Sequence, residues 1–236
     1  MELKDILKLQ RKLSEVKINY ISQYILFNEE ECKILIDYIE VFKNKGYFHR
    51  GETSSGESTD LLERDKNDKM CHDIFLSKKF IINQDKKFID TFQLIWNKIY
   101  HYIHYYMAHV GLINMGVAGI SHKNWLKIKN KCEYPNLHFE APKLRKYDAY
   151  QDAYNMPHFD KTINIGNNKR FIAGIVYLNT INEGGETVFP TIKEKIKAVQ
   201  GKIVLFPSNF THVHYSKTTK KQDRYNIIIH VSETTN

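Results

Sequence analysis

The stretch "YNMPHFD", residues 154–160, sets His158 and Asp160 two residues apart. On an extended chain alternate side chains share one face, so a strand here turns both groups to the same side and sends Phe159 to the other. An imidazole and a carboxylate on one face are the beginning of a metal site. The pair alone decides nothing, because 11 histidines and 27 acidic residues in 236 give roughly one His-x-acid match by chance. Two occur, the second being His138 and Glu140.

Further along, His214 closes "LFPSNFTHVH" and Arg224 opens "RYNIIIHV". Two histidines and one carboxylate fill one face of an octahedral ion and leave three positions open. That suits non-haem Fe(II), whereas zinc more often recruits a third histidine or a cysteine. His212 lies two residues before His214 and shares its face on a regular strand, so it competes for the same role. The polar "SKTTKKQD" reads as a turn returning from the His214 strand, and the resulting hairpin brings Arg224 towards the ligands with Asn226, Ile228 and His230 on its side. An inward guanidinium requires an anion, and a carboxylate fits its forked donors best. Taken alone, Arg224 is an exposed residue at a strand start; His158, Asp160 and His214 are what raise it.

The elements that must carry these groups come in two kinds. After residue 140, short alternating or β-branched runs, "LRKYDAYQ", "RFIAGIVYLN", "ETVF", "GKIVLF" and "RYNIIIHV", are broken by turns without intervening helices, which predicts an antiparallel sandwich or barrel. The first half reads mostly helical. Leu3, Ile6, Leu7 and Leu13 give an imperfect amphipathic helix in residues 1–20. Asn28 and Glu31 have the spacing of a capping box ahead of Leu35, Tyr38, Ile39 and Phe42, and Gly46 stops that run. From Asp85, Phe88, Phe92, Ile95, Ile99, Ile103, Tyr106 and Val110 predict a long helix against a sheet, ending near Gly111. His101 and His104 sit one turn apart on it, and packing explains such a pair better than a metal without a marked third ligand. Residues 49–70 are polar and turn-rich, a surface loop of the kind that borders substrate sites.

The expected fold is therefore α+β: a jelly roll, or double-stranded β-helix, with helices packed on its outside mainly from the N-terminal half. We expect a single domain over 1–236, with 1–20 a helical extension, 21–140 a mainly helical support and 141–236 the jelly-roll core. Composition agrees with one sizeable core, at 42% hydrophobic and 13% aromatic residues. The net charge of +8 permits an acidic partner, but the Lys and Arg residues are scattered among 27 acidic ones, which argues against a nucleic-acid footprint. Cys32, Cys71 and Cys132 form no close pair and fit a reducing compartment. "MELKDILKLQRKLSEVK" is too charged for a secretory core, and no apolar run is long enough to cross a bilayer, so the expected address is cytoplasmic.

In order, "KYDAYQDAYNMPHFD", "FIAGIVYLN", "EGGETVFP", "GKIVLFPSNFTHVH" and "DRYNIIIHV" resemble the iron- and 2-oxoglutarate-dependent dioxygenases, most closely the prolyl 4-hydroxylase branch. The resemblance spans about Leu144 to Val231, and "YILFNEEECKILIDYIE" is similar to the first helix of those hydroxylases. It implies His158, Asp160 and His214 as iron ligands and Arg224 as the clamp on the distal carboxylate of 2-oxoglutarate. It implies Tyr177, before "LN", as a second contact to that carboxylate, and Tyr147 as a residue near the co-substrate, although the step from Tyr147 to His158 carries an insertion. Only His214, eight residues after Phe206 and ten before Arg224, fits the family spacing, leaving His212 beside the site. His138 and Glu140 are set aside, since no strand, "GGET" turn or basic partner follows them at the proper distances. Asn226 replaces the serine many relatives carry, and the usual proline and glycine after His214 are absent.

The activity implied is hydroxylation of an unactivated C–H bond, foremost in a peptidyl proline, using Fe(II), 2-oxoglutarate and O₂ with release of succinate and CO₂, and with ascorbate as reductant. The partner expected is a peptide or protein substrate. Two alternatives stand beside it: the same chemistry on a free amino acid or other small molecule, and a jelly-roll binding module without turnover. An oxygenase acting on nucleic acid ranks last, having only the scattered basic charge in its favour.

Overall fold

The computed structural model describes residues 19–50, 71–110, 137–160 and 168–234. The expected N-terminal helix, residues 51–70 of the polar loop, Gly111 and Cys132 lie outside the described residues. Among the described residues, three helices, α1 (Glu29–Asn44), α2 (Lys78–Ile82) and α3 (Lys86–His109), accompany two antiparallel sheets. Residues 21–140 supply β1 (Ser22–Ile25), β2 (His49–Arg50), β3 (His72–Phe75) and β4 (Leu137–Phe139). Residues 141–236 supply β5 (Lys143–Tyr147), β6 (Tyr154–His158), β7 (Asn168–Tyr177), β8 (Thr187–Phe189), β9 (Glu194–Ile196), β10 (Lys202–Pro207), β11 (His214–Ser216) and β12 (Arg224–Thr234).

The large sheet runs β1-β10-β7-β12-β5-β3-β2, with β4 also paired to β12; the small sheet runs β6-β11-β8-β9. Residues 21–140 thus contribute four strands of the large sheet besides their helices, so a mainly helical reading of them is incomplete. These strands were hidden because β2, β3 and β4 are two to four residues long, too short for a period-2 pattern to stand out.

Alternation along the strands separates two cores. On the outer face of the large sheet, Ile172 and Val176 of β7, Ile203 and Leu205 of β10, and Ile227, Ile229 and Val231 of β12 join Leu35, Ile39 and Phe42 of α1 and Ile95, Ile99 and Ile103 of α3. On the inner face, Ala173, Tyr177, Val204 and Phe206 meet Phe189 and Ile196 of the small sheet. The side chains left on the inner face of β12 are Arg224, Asn226, Ile228 and His230, all buried. One strand thereby holds the helices with one face and lines the inter-sheet space with the other.

The helix boundaries follow from their caps. Asn28 accepts from the Glu31 amide at 2.9 Å and Glu31 accepts from the Asn28 amide at 3.1 Å, closing the expected capping box. Asp85 accepts from the Phe88 amide at 2.8 Å ahead of α3. Polar latches fix both helices to the sheet: Glu40 of α1 accepts from Lys146 at 2.9 Å and Tyr225 at 2.6 Å, and Tyr102 of α3 bonds Ser22 of β1 at 2.6 Å.

Ile39 is fully buried beneath α1 while Val41, two residues on, is 44% exposed. Ile39→Ala should therefore cost about 2–5 kcal/mol, against about 0.5 kcal/mol or less for Val41→Ala, as measured by urea unfolding. Equal effects would show that α1 does not dock on the sheet through this face.

Candidate active site

The register of the small sheet sets His158, the last residue of β6, opposite His214, the first of β11. Their ring centroids are 4.4 Å apart. Asp160, two residues beyond the strand end, approaches both: Oδ1 lies 4.0 Å from His158 Nε2 and Oδ2 lies 3.5 Å from His214 Nε2. One ligand atom from each of the three residues lies within 4.8 Å of the others.

The donor set suits a divalent metal. His158 Nδ1 is 2.9 Å from the Met156 carbonyl, and His214 Nδ1 is 3.0 Å from the His212 carbonyl. A carbonyl oxygen only accepts, so each Nδ1 carries the proton and a neutral ring then offers a bare lone pair at Nε2. Burial, reinforced by His214 and opposed by Asp160, lowers the His158 pKa to about 4. Burial pushes the Asp160 carboxyl up, but His214, His230 and His158 outweigh it and hold the group well below the ordinary carboxylate range. A deprotonated imidazole beside an ionised carboxylate is the form that binds a metal.

His212 does not belong to this set. The chain leaves β10 at Pro207 and makes a 3₁₀ turn over Phe210–His212, so the regular strand expected through His212 and His214 does not form. The His212 ring turns instead to the Asn19 carbonyl, 2.7 Å from Nε2, and only its own carbonyl reaches His214. The expected hairpin to Arg224 is also corrected: β11 lies in the small sheet and β12 in the large one, so the connecting segment crosses between sheets.

That crossing still delivers Arg224 to the inter-sheet space, where it is 1% exposed. Its guanidinium lies over the Tyr147 ring, 4.0 Å from the centroid, donates from Nη1 to the Gly185 carbonyl at 2.6 Å, and bonds the Ser216 hydroxyl from Nη2. Among the described residues no carboxylate lies within ion-pair distance of it, and its Nε has no acceptor. Asn226 Oδ1 and His230 Nε2, on the same face of β12, also lack a hydrogen-bond partner. Tyr177 pairs with Asn226 in register, and its hydroxyl bonds Thr187 at 2.6 Å. Burial raises the Tyr177 pKa to about 12 despite Thr187 and Arg224, so the hydroxyl keeps its proton.

The "GGET" turn is needed for this geometry. Gly184 and Gly185 have φ of 75° and 70°, and a Cβ on Gly184 would lie 2.1 Å from the Thr218 carbonyl oxygen. Only glycine lets the segment pass that close while presenting the Gly185 carbonyl to Arg224.

Several groups were not marked by the sequence. Glu140, set aside with His138, binds Arg170 through both carboxylate oxygens at 2.7 and 2.6 Å, and Arg170 Nη1 reaches the Asp160 carbonyl at 3.3 Å. Asp73 and Arg145 form a buried two-point ion pair at 2.5 and 2.7 Å, and Arg145 Nη1 lies 3.4 Å from the Tyr147 hydroxyl. His104 packs on Tyr100, ring centroids 4.2 Å apart, as the packing reading of the α3 histidines expects. His72, Asp148 and Asp152 also cluster, but Lys43 and Lys146 already stand 3.5 Å from Asp148 Oδ1.

Comparison with known proteins agrees with this geometry. Residues 143–231 match the family model of the 2OG-Fe(II) oxygenase superfamily. Among curated sequences no relative matches. The fold is similar to a prolyl hydroxylase from Trichoplax adhaerens, solved with a hypoxia inducible factor oxygen degradation domain peptide fragment, at 14% identity and TM-score 0.67 over 99% of this chain and 94% of that one. It is similar to the viral collagen prolyl hydroxylase of Paramecium Bursaria Chlorella virus-1 in its 2OG complex, at 18% identity and TM-score 0.57 over 91% and 97% of the two chains. A Pseudomonas putida prolyl-4-hydroxylase is 12% identical with TM-score 0.57 over 96% and 99%. The jelly-roll region thus carries the 2OG-Fe(II) oxygenase pattern. Over most of its length the chain shares the fold of these solved prolyl hydroxylases.

The lowered pKa of His158 has a direct readout. In the metal-free protein its ring should stay neutral, protonated at Nδ1, down to about pH 4, as followed by ¹⁵N imidazole NMR. An unfolded chain titrates near 6.5, so the unfolded state binds the extra proton first. Stability due to this residue is complete above about pH 6.5 and falls as the pH drops towards 4. Titration of His158 above pH 6 in the folded protein would contradict the assigned environment.

Proposed function

We propose that the protein is an Fe(II)- and 2-oxoglutarate-dependent dioxygenase that hydroxylates an unactivated C–H bond, with a peptidyl proline as substrate and succinate and CO₂ as co-products. The observation that carries this reading is the pairing of two features in the inter-sheet space: three convergent ligand atoms from His158, Asp160 and His214, and a buried guanidinium, Arg224, with no counter-anion among the described residues. The match of residues 143–231 supports the cofactor class, since that superfamily implies Fe(II), 2-oxoglutarate and O₂.

Iron held by the triad would supply the oxidising chemistry, activating O₂ at the expense of the keto acid. The chain's part is binding, orientation and shielding. His158 and His214 present their Nε2 lone pairs with the tautomer fixed by the Met156 and His212 carbonyls. Arg224 takes the distal carboxylate of the co-substrate, and its contacts to Gly185, Ser216 and Tyr147 hold the fork in place beforehand. Tyr177, still protonated, is placed to donate to that carboxylate once it turns from Thr187. Tyr147, beneath the guanidinium, shapes the same pocket.

Two observations favour a peptide substrate over a small molecule. Met156 and Phe159, neighbours of His158 in the chain, are both at least 40% exposed, apolar surface on the segment that carries the ligands and of a kind that suits a peptide partner. A structural neighbour holds a peptide fragment. Ascorbate as reductant and a cytoplasmic address belong to the same proposal, the latter supported by the buried Cys32 thiol.

Succinate release with Fe(II), 2-oxoglutarate and proline-containing peptides tests the reading. Asp160→Ala should abolish turnover, and Arg224→Ala should weaken 2-oxoglutarate binding by about 30-fold or more, the effect of removing one partner of a buried charge pair. No turnover of 2-oxoglutarate, with or without peptide, points instead to a binding module. Turnover stimulated by free amino acids and not by peptides points to a small-molecule hydroxylase.

A further inference from the structure

Asp160 is weakly fixed by the sheet that delivers it. It follows β6, the edge strand of the small sheet, and lies two residues past the last ladder pair, His158 with His214. A carboxylate in that position rotates about its own bond, so something outside the ladder must decide which oxygen faces the histidines.

The large sheet supplies that contact from the opposite wall. His230, buried on the inner face of β12, points Nε2 at Asp160 Oδ1 at 3.5 Å, leaving Oδ2 towards His214 Nε2 at 3.5 Å. Behind it, His230 Nδ1 is 3.8 Å from Glu140 Oε2. Glu140 is itself fixed on every side. Its amide donates to the His230 carbonyl at 3.1 Å, its Oε1 accepts from Arg170 Nε and the Ser232 hydroxyl at 2.7 Å each, and its Oε2 accepts from Arg170 Nη2 at 2.6 Å. Arg170 also holds the Asp160 carbonyl.

We infer that Glu140 and His230 form a positioning pair for the metal-binding carboxylate: Glu140 sets the His230 ring, and His230 engages Asp160 Oδ1, the oxygen that also lies 4.0 Å from His158 Nε2, and so holds Oδ2 towards His214. The inference rests on the metal reading of the triad. The gap at His230 Nε2, near hydrogen-bond reach but not aligned, is the kind of contact that tightens when the site is loaded. A phenyl ring at position 230 would fill the same space without engaging either carboxylate, so the imidazole is there for its nitrogens.

Partners of this kind typically change metal affinity by about 10–100-fold when removed. The test is anaerobic Co(II) titration, read by visible d–d absorption and calorimetry, on wild type, Asp160→Ala, His230→Phe, His230→Gln and Glu140→Gln. Asp160→Ala should lose Co(II) binding at the site. His230→Phe should weaken it about 10–100-fold with altered d–d bands, His230→Gln should recover much of the loss by restoring a side-chain donor, and Glu140→Gln should weaken binding with His230 intact. Wild-type affinity and spectrum in His230→Phe, alongside loss in Asp160→Ala, would overturn the positioning pair and leave the metal site standing. Should His230→Phe fail to fold by circular dichroism, an unchanged affinity and spectrum in Glu140→Gln overturns it instead. Wild-type Co(II) binding in Asp160→Ala would remove the metal reading of the triad and this inference with it.

Discussion

A guanidinium buried at 1% exposure without an anionic partner among the described residues is an expensive thing to fold around. Removing a charged group from water costs several kcal/mol unless its hydrogen bonds are replaced and its charge is neutralised. Arg224 has the first in part, through Gly185, Ser216 and the face of Tyr147, and lacks the second. Most of the local architecture can be read as what makes that tolerable: two glycines at positive φ bring a carbonyl to Nη1, and an aromatic ring lies beneath the charge. The same face of β12 carries Asn226 and His230 with unsatisfied atoms. Stability is surrendered along one strip of the inner wall, and a ligand carrying a carboxylate would restore it.

The other face of β12 makes this affordable. Ile227, Ile229 and Val231 lie in the core shared with α1 and α3, and β12 is paired on both sides, with β7 on one and β4 and β5 on the other. A strand fixed by its ladder and by an apolar outer face cannot move to let the charged inner face escape to water. The buried Asp73–Arg145 pair extends the same logic to the neighbouring strands: its charges are matched, so it adds a second cation beside Tyr147 without a net demand for an anion.

The parts of the site legible in the sequence are those governed by short-range rules. Period-2 alternation set Arg224, Asn226, Ile228 and His230 on one side of a strand, and the i, i+2 spacing of His158 and Asp160 held although the strand stops at His158. The capping residues of α1 marked its start for the same local reason. What escaped depends on which strands become neighbours. Glu140 looked like chance because its partners, Arg170, His230 and Ser232, reach it only through the pairing of β4 and β7 with β12. His212 turns away from the ligands because a 3₁₀ turn over Phe210–His212 takes the place of a regular strand there. The hairpin to Arg224 failed because a polar turn segment does not reveal whether the chain returns to the same sheet or crosses to the facing one.

The site requires its side chains to converge around one ion and one dicarboxylate. The direct measurement is diffraction from crystals grown anaerobically with Fe(II) and 2-oxoglutarate, with anomalous data at the iron edge. We expect a single anomalous peak bounded by His158 Nε2, His214 Nε2 and Asp160, and the distal carboxylate of 2-oxoglutarate on the Arg224 guanidinium. Iron bound elsewhere, or a keto acid that leaves Arg224 without an anion, would contradict it.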